Sequence, residues 1–134
     1  MLSDKPTVPV SKAMLWTGRI LSALPVLAIA LGAGVKFVQP PGFSEGIAKI
    51  GYSEDLMVSL GIVELFCAAL YVIPRTSVLG AILLTGYLGG AIATHVRVDD
   101  PFFIPIVLGV LVWLGLYLRD SRLRALVPLR SQNP

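Results

Sequence analysis

Charge is what this sequence has least of. Asp, Glu, Lys and Arg make up 14% of its 134 residues, where an ordinary globular domain carries about 25%. The eight acids and eleven bases fall mainly in short connecting stretches and leave long apolar runs between them. With 55% of the residues apolar, that distribution excludes a soluble protein with one modest core. It equally excludes a disordered chain, which needs low hydrophobicity and high net charge. The formal net charge is +3, yet nucleic-acid binding needs a basic face on a soluble surface. The bases are therefore read against a bilayer, and no nucleic-acid partner is expected.

Cysteine and histidine are almost absent too. The one cysteine, Cys67, cannot close a disulfide within the chain and leaves no CxxC pair for thiol exchange or zinc. The one histidine, His95, cannot supply both axial ligands of a haem or build a multi-histidine metal site. No haem or metal site is expected. The sequence has no GxGxxG after a strand, no GxxxxGKS/T, no GxSxG and no HExxH. Those absences remove the easy enzyme assignments and leave catalysis undecided.

What is present is four apolar runs of membrane-spanning length, for which about 17–25 residues are needed. They extend over about 16–38, 56–73, 77–96 and 102–118. The fold expected is all-α, an integral membrane four-helix antiparallel bundle, with 1–134 forming one domain and with short tails 1–15 and 119–134. Residues 39–55 form a turn-rich loop opening on Gln39-Pro40-Pro41-Gly42, long enough for a short amphipathic helix on the membrane surface. The connections at Pro74-Arg75 and at Arg97 to Pro101 are short, so each joins two runs into a tight hairpin.

Basic residues set the orientation, because they are retained on the cytoplasmic side. Eight of the eleven (Lys5, Lys12, Arg19, Arg75, Arg119, Arg122, Arg124 and Arg130) share the side of the termini, against three on the other (Lys36, Lys49 and Arg97). Both termini are expected in the cytoplasm, with the chain in a bacterial cytoplasmic membrane. A cleaved signal peptide is the alternative for the first run, with Ala28-Ile29-Ala30 as the cleavage site. Against it, the run stays apolar to Val38 and Trp16 sits where an interfacial anchor belongs.

Glu64 is the residue most out of place. A carboxylate inside a membrane helix costs about 2.5 kcal/mol or more unless it is paired, solvated or protonated. It should face the bundle interior, either as a proton-handling or ligand-anchoring group or as one side of an interhelical hydrogen bond. Eight residues from Leu56, it lies about 12 Å deep, and Lys36, His95 and Arg97 fall in the same outer half. Lys36 either snorkels to the interface, the simpler reading, or turns inward to Glu64. His95 is interfacial or, since histidine titrates near neutral pH, a proton donor. Arg97 with Asp99 and Asp100 is most simply a solvated cluster.

Gly86 and Gly90 form a GxxxG spacing that lets helix backbones approach, more simply within the chain than between chains. Pro25 and Pro105 are expected to kink their helices. Tyr71, Trp113 and Tyr117 look like interfacial belt aromatics. The basic stretch from Arg119 to Arg130 is explained by topology, with anionic lipid as the further option.

The residues together resemble the DoxX-like family of small four-helix bacterial membrane proteins. The pieces that carry the resemblance are Gly34-Val35-Lys36-Phe37, Leu60-Gly61-Ile62-Val63-Glu64, Pro74-Arg75-Thr76, the stretch Gly89 to Arg97, and Trp113 to Asp120. At the family's positions this sequence has Lys36, Glu64, Pro74, Arg75, His95 and Arg97. The resemblance implies a membrane subunit linked to redox or stress physiology, since the family's namesakes are subunits of a thiosulfate:quinone oxidoreductase. The reading that follows is a protein that binds a small ligand with a quinone-type or anionic head group at Lys36, Glu64, His95 and Arg97. Its partners would be the bilayer, a membrane or peripheral protein, or a second copy of itself. The alternatives are a non-catalytic scaffold or assembly chaperone docking through Gly86 and Gly90, and a small proton-coupled transporter.

Overall fold

The computed structural model describes residues 9–127. The outer parts of the expected tails, with Asp4, Lys5 and Arg130, lie outside the described residues. The regular structure among the described residues is all helical, with α1 over Lys12–Val38, α2 over Phe43–Ile50, α3 over Glu54–Val72, α4 over Ser77–Arg97, α5 over Phe103–Arg119 and α6 over Ser121–Arg124.

Local chemistry sets the ends of these helices. The Ser11 side chain accepts from Met14 N at 3.2 Å and starts α1 ahead of its apolar run, since a serine at this place satisfies a backbone donor that has no helical partner. Gln39 ends α1 in the left-handed conformation, at φ 49°. Ser53 caps α3 in the same way, accepting from Leu56 N at 3.3 Å, and Glu54 and Asp55 in the first turn complement the helix dipole. Pro74 holds the preceding Ile73 extended and closes α3. Across that turn Thr76 Oγ1 donates to Leu70 O at 2.7 Å and Ser77 Oγ donates to Tyr71 O at 2.8 Å.

The prolines act differently from one another. α1 runs through Pro25 as one continuous helix, with the ring buried. Pro105, expected to kink its helix, instead occupies the first turn of α5, where an amide N–H has no helical acceptor and proline breaks nothing.

α1 packs against α3 and α5, and α4 packs against the same two. The start of α1, the end of α3, the start of α4 and the end of α5 meet at one end, here the turn end. There the helices approach closely. A methyl group on Gly18 would lie 2.8 Å from Gly115 O, and one on Gly80 would run into the Tyr71 backbone. Ile29, Leu84, Val112 and Leu116 fill the middle, each at most 1% exposed. Tyr71 belongs to this core and not to an aromatic belt. It is 1% exposed, and its hydroxyl donates to Val112 O at 2.8 Å and lies 2.9 Å from Ser22 Oγ.

The exterior is apolar. Leu27, Leu31, Ile62, Phe66, Ile104 and Val110 all stand more than half exposed, the reverse of a soluble helical protein and the arrangement a lipid solvent favours. α1, α3 and α4 are long and apolar enough to cross a membrane. α5, at 17 residues, is at the lower bound for a span.

Candidate functional site

At the opposite end, which carries α2, the helices enclose a cavity of about 510 Å³. Ala28, Ile29, Met57, Leu60, Ile104 and Leu108 give it apolar walls, and Lys36, Glu64, Tyr87, Thr94, His95 and Tyr52 bring polar groups.

Glu64 lies on the buried face of α3 with Met57, Gly61, Cys67, Ala68 and Tyr71, a spacing that keeps it on the same side as the core. Lys36, in the last turn of α1, turns inward. Its Nζ donates to Glu64 Oε2 at 2.7 Å and to Gly32 O at 3.3 Å. The expected snorkelling is therefore corrected, and the reason is distance. Gly32 has no side chain, so the lysine passes along α1 to a carboxylate that would otherwise be buried uncompensated. The Tyr87 hydroxyl also donates to Glu64 Oε2, at 3.2 Å. Glu64 Oε1 has no hydrogen-bond partner among the described residues and stands 3.3 Å from where a methyl group on Gly32 would be.

His95 and Arg97 divide. His95 lines the cavity and places Nδ1 2.9 Å from Asp100 Oδ2. Arg97 points elsewhere and donates from Nη2 to Ile50 O at 2.5 Å, so it caps the carbonyl end of α2 instead of joining the site. Lys49, from the last turn of α2, donates to Asp100 Oδ1 at 2.9 Å. Hydrogen bonds from Lys49 and then His95 hold the Asp100 carboxyl below the usual carboxylate range. Tyr52, just past α2, pairs its hydroxyl with Thr94 Oγ1 at 2.9 Å. The loop is thus fastened across the cavity mouth by polar contacts, with Ile47 the buried residue of α2.

Gly86 and Gly90 do not pack helices within the chain. Nothing lies within 4 Å of where a methyl group on either would stand, and the same holds for Gly89. Gly86 and Gly90 instead form part of the cavity wall. The closest helix approaches to backbone are made at Gly18, Gly80 and Gly115, and Gly61 faces the Phe37 ring, where a methyl group would come within 3.0 Å. Tyr87, Tyr52 and Thr94 are site residues that sequence reasoning missed. Tyr87 sits inside the GxxxG stretch that drew attention to its glycines, and its place two helical turns from His95 was the available signal.

Long apolar helices, an apolar exterior and a polar pocket within one half define the class, an α-helical membrane protein. The sequence model of the DoxX-like family matches residues 20–115, and the chain belongs to that family. No curated protein and no solved structure matches the chain.

Proposed function

We propose that this chain is a four-helix antiparallel bundle of a bacterial cytoplasmic membrane, with both termini cytoplasmic, that binds a small amphipathic molecule in the cavity at its outer half. The observation that carries the reading is the polar group Lys36–Glu64–Tyr87 facing apolar walls across about 510 Å³. Such a combination of a mostly apolar cleft with a few convergent polar groups is the usual form of a small-molecule site.

The geometry also narrows the head group. Lys36 and Glu64 neutralise each other at 2.7 Å, so an anionic head group would have to break that pair. A neutral head group with acceptor oxygens would not, since Lys36 Nζ gives one N–H to Glu64 Oε2 and one to Gly32 O and has a third to offer at the wall. A quinone-type ring fits this donor set and would supply the electron and proton chemistry that these side chains do not. Such a site suits a ligand-binding subunit of a membrane redox or stress-related complex.

The transporter reading is disfavoured by the fully buried apolar layer of Ile29, Leu84, Val112 and Leu116 between the cavity and the turn end. The scaffold reading draws support from Gly89, which is exposed and unpacked.

The test is native extraction of wild type, Glu64→Gln, Gly90→Leu and Gly89→Leu, followed by mass spectrometry of retained small molecules and proteins. Gly90→Leu puts an apolar side chain at the cavity wall, where its Cβ meets nothing within 4 Å. A small molecule kept by wild type and Gly89→Leu but lost from the other two supports the site. A molecule retained equally by all four, or a protein partner lost only with Gly89→Leu, would replace this reading by the scaffold.

A further inference from the structure

The cavity at the α2 end reaches two opposite faces of α4. Leu88 is 5% exposed and lies on the buried face with Leu84. Gly86 is exposed and follows one turn after Ile82, which is 54% exposed. Two residues along a helix turn by about 200°, yet Gly86 and Leu88 both line the cavity. The open space therefore runs from the bundle interior around the flank of α4, past Tyr87 and Gly90, to the surface that faces lipid. That flank is bare. Beyond the backbone of α4 itself, nothing stands within 4 Å of where a methyl group on Gly86 or Gly90 would be. Ala28 and Ile104 are exposed members of the same wall, but each puts a side chain there.

Towards water the cavity is roofed. Ile50 and Tyr52 line it, and polar contacts hold their segment in place. Arg97 Nη2 donates to Ile50 O, the Tyr52 hydroxyl pairs with Thr94 Oγ1, and Lys49 Nζ donates to Asp100 Oδ1. A molecule arriving from water has to break these contacts, whereas one arriving from the side displaces only lipid. Depth sets what lies outside the gap. Gly90 and Gly86 are seven and eleven residues inside the end of α4 at Arg97, or about 10 and 16 Å. In a hydrocarbon layer about 30 Å thick, the gap opens on acyl chains and not on head groups. Inside, Glu64 is 5% exposed, and both of its hydrogen bonds fall on Oε2, which leaves Oε1 open. One cavity thus joins a polar interior to an apolar exit.

Resting on the reading of this cavity as a small-molecule site, we propose that its ligand enters sideways from the bilayer past Gly86 and Gly90, and that it carries a long hydrocarbon chain that stays in lipid. The head group reaches Lys36 and Glu64 while the chain leaves through the bare flank of α4. Such a chain is driven out of water and dissolves among acyl chains, so the gap suits a membrane-dissolved molecule. A water-soluble one gains nothing from an opening at that depth.

The probe is a benzoquinone ring bearing a decyl chain with a photoreactive diazirine close to the ring. It is added to the full chain in phosphatidylcholine nanodiscs, and labelled residues are located by peptide mass spectrometry. Only label displaced by excess of the same ring without a chain is counted, which sets aside probe merely dissolved in lipid. That label is expected on Ile82 and Leu83, beside the gap, and should be lost in Glu64→Gln. Gly86→Leu, whose side chain starts in open space, should abolish it while far-ultraviolet circular dichroism stays unchanged. Gly90→Leu, one turn on, is a second blocked variant should Gly86→Leu fail to fold. Gly89→Leu, exposed but outside this cavity wall, should leave the label as in wild type. Glu64-dependent label on Ile50, Tyr52 or Val98 would overturn the sideways route and leave the cavity reading standing. Label beside Ile104 at Phe103 or Val107, or label that survives both blocked variants, would overturn the place of the gap in the same way. Absence of any Glu64-dependent label would overturn the route and the cavity reading together.

Discussion

Lys36 Nζ lies 2.7 Å from Glu64 Oε2 across the α1–α3 interface, with the two side chains 19% and 7% exposed. In that position each residue answers the other's desolvation. Alone, either would be a charge in a membrane helix, and together they form a neutral polar wall that remains open on the Oε1 side.

The pair should therefore behave non-additively. Lys36→Met strands a buried carboxylate and should destabilise the folded protein by about 3 kcal/mol, whereas Lys36→Met with Glu64→Met removes both charges and should recover most of that loss. Denaturant unfolding in mild detergent reads the difference. A double variant as unstable as the sum of the singles would show that the two residues act independently.

The glycines separate into two groups by what surrounds them. Gly80→Ala forces a methyl group into the Tyr71 backbone and should cost about 3 kcal/mol or more, since backbone yields less than a side chain does. Gly86→Ala meets open space and should be neutral or slightly stabilising, because alanine favours a helix by about 1 kcal/mol over glycine. Thermal unfolding of the two variants checks this, and equal costs would refute the assignment of close approach to the turn end.

Within the candidate site, Tyr87 and Arg97 should differ. Tyr87→Phe removes the hydroxyl that donates to Glu64 Oε2 and, by loosening the acid that faces the cavity, should weaken retention of the bound molecule by about five- to tenfold, the value of one hydrogen bond. Arg97→Gln should leave retention within about twofold and instead speed amide exchange in α2, whose last carbonyl it holds. Ligand retention and hydrogen exchange measured on the same preparations distinguish the two effects.

Asp100 gives the α2 attachment a pH dependence. Lys49 and His95 hold its folded-state value below the ordinary one of about 3.9. A carboxyl shifted downward on folding contributes stability that is present above the ordinary value and lost as pH falls through the lower folded one. Protection of α2 amides, corrected for intrinsic exchange, should hold constant from neutral pH to about pH 4 and fall below it. Asp100→Asn should show the lower protection at every pH. A decline already complete by pH 5 would exclude Asp100 as the group responsible.

Several features were legible in the residues alone. The runs from Trp16, Leu56, Ser77 and Phe102 gave the positions of α1, α3, α4 and α5 to within a few residues, because a continuous apolar stretch of that length has no alternative that satisfies its backbone. The turn formers around Gly42 likewise foretold the short surface helix. Glu64 identified itself, since an acid in an apolar helix is costly wherever it points.

What the chain order could not convey was which way long side chains turn and which small residues touch. Lys36 at a helix end has two low-energy destinations, and only the placement of α3 beside Gly32 selected Glu64. Arg97 and His95, two residues apart, were assigned to one site, and the docking of α2 separated them. GxxxG drew attention to Gly86 and Gly90, yet close approach occurs at Gly18, Gly80 and Gly115, whose spacing forms no motif. Hydrophobic length is a one-dimensional property fixed by the order of residues. Side-chain partners across helices depend on rotation and separation of whole helices, which only the packed tertiary structure decides.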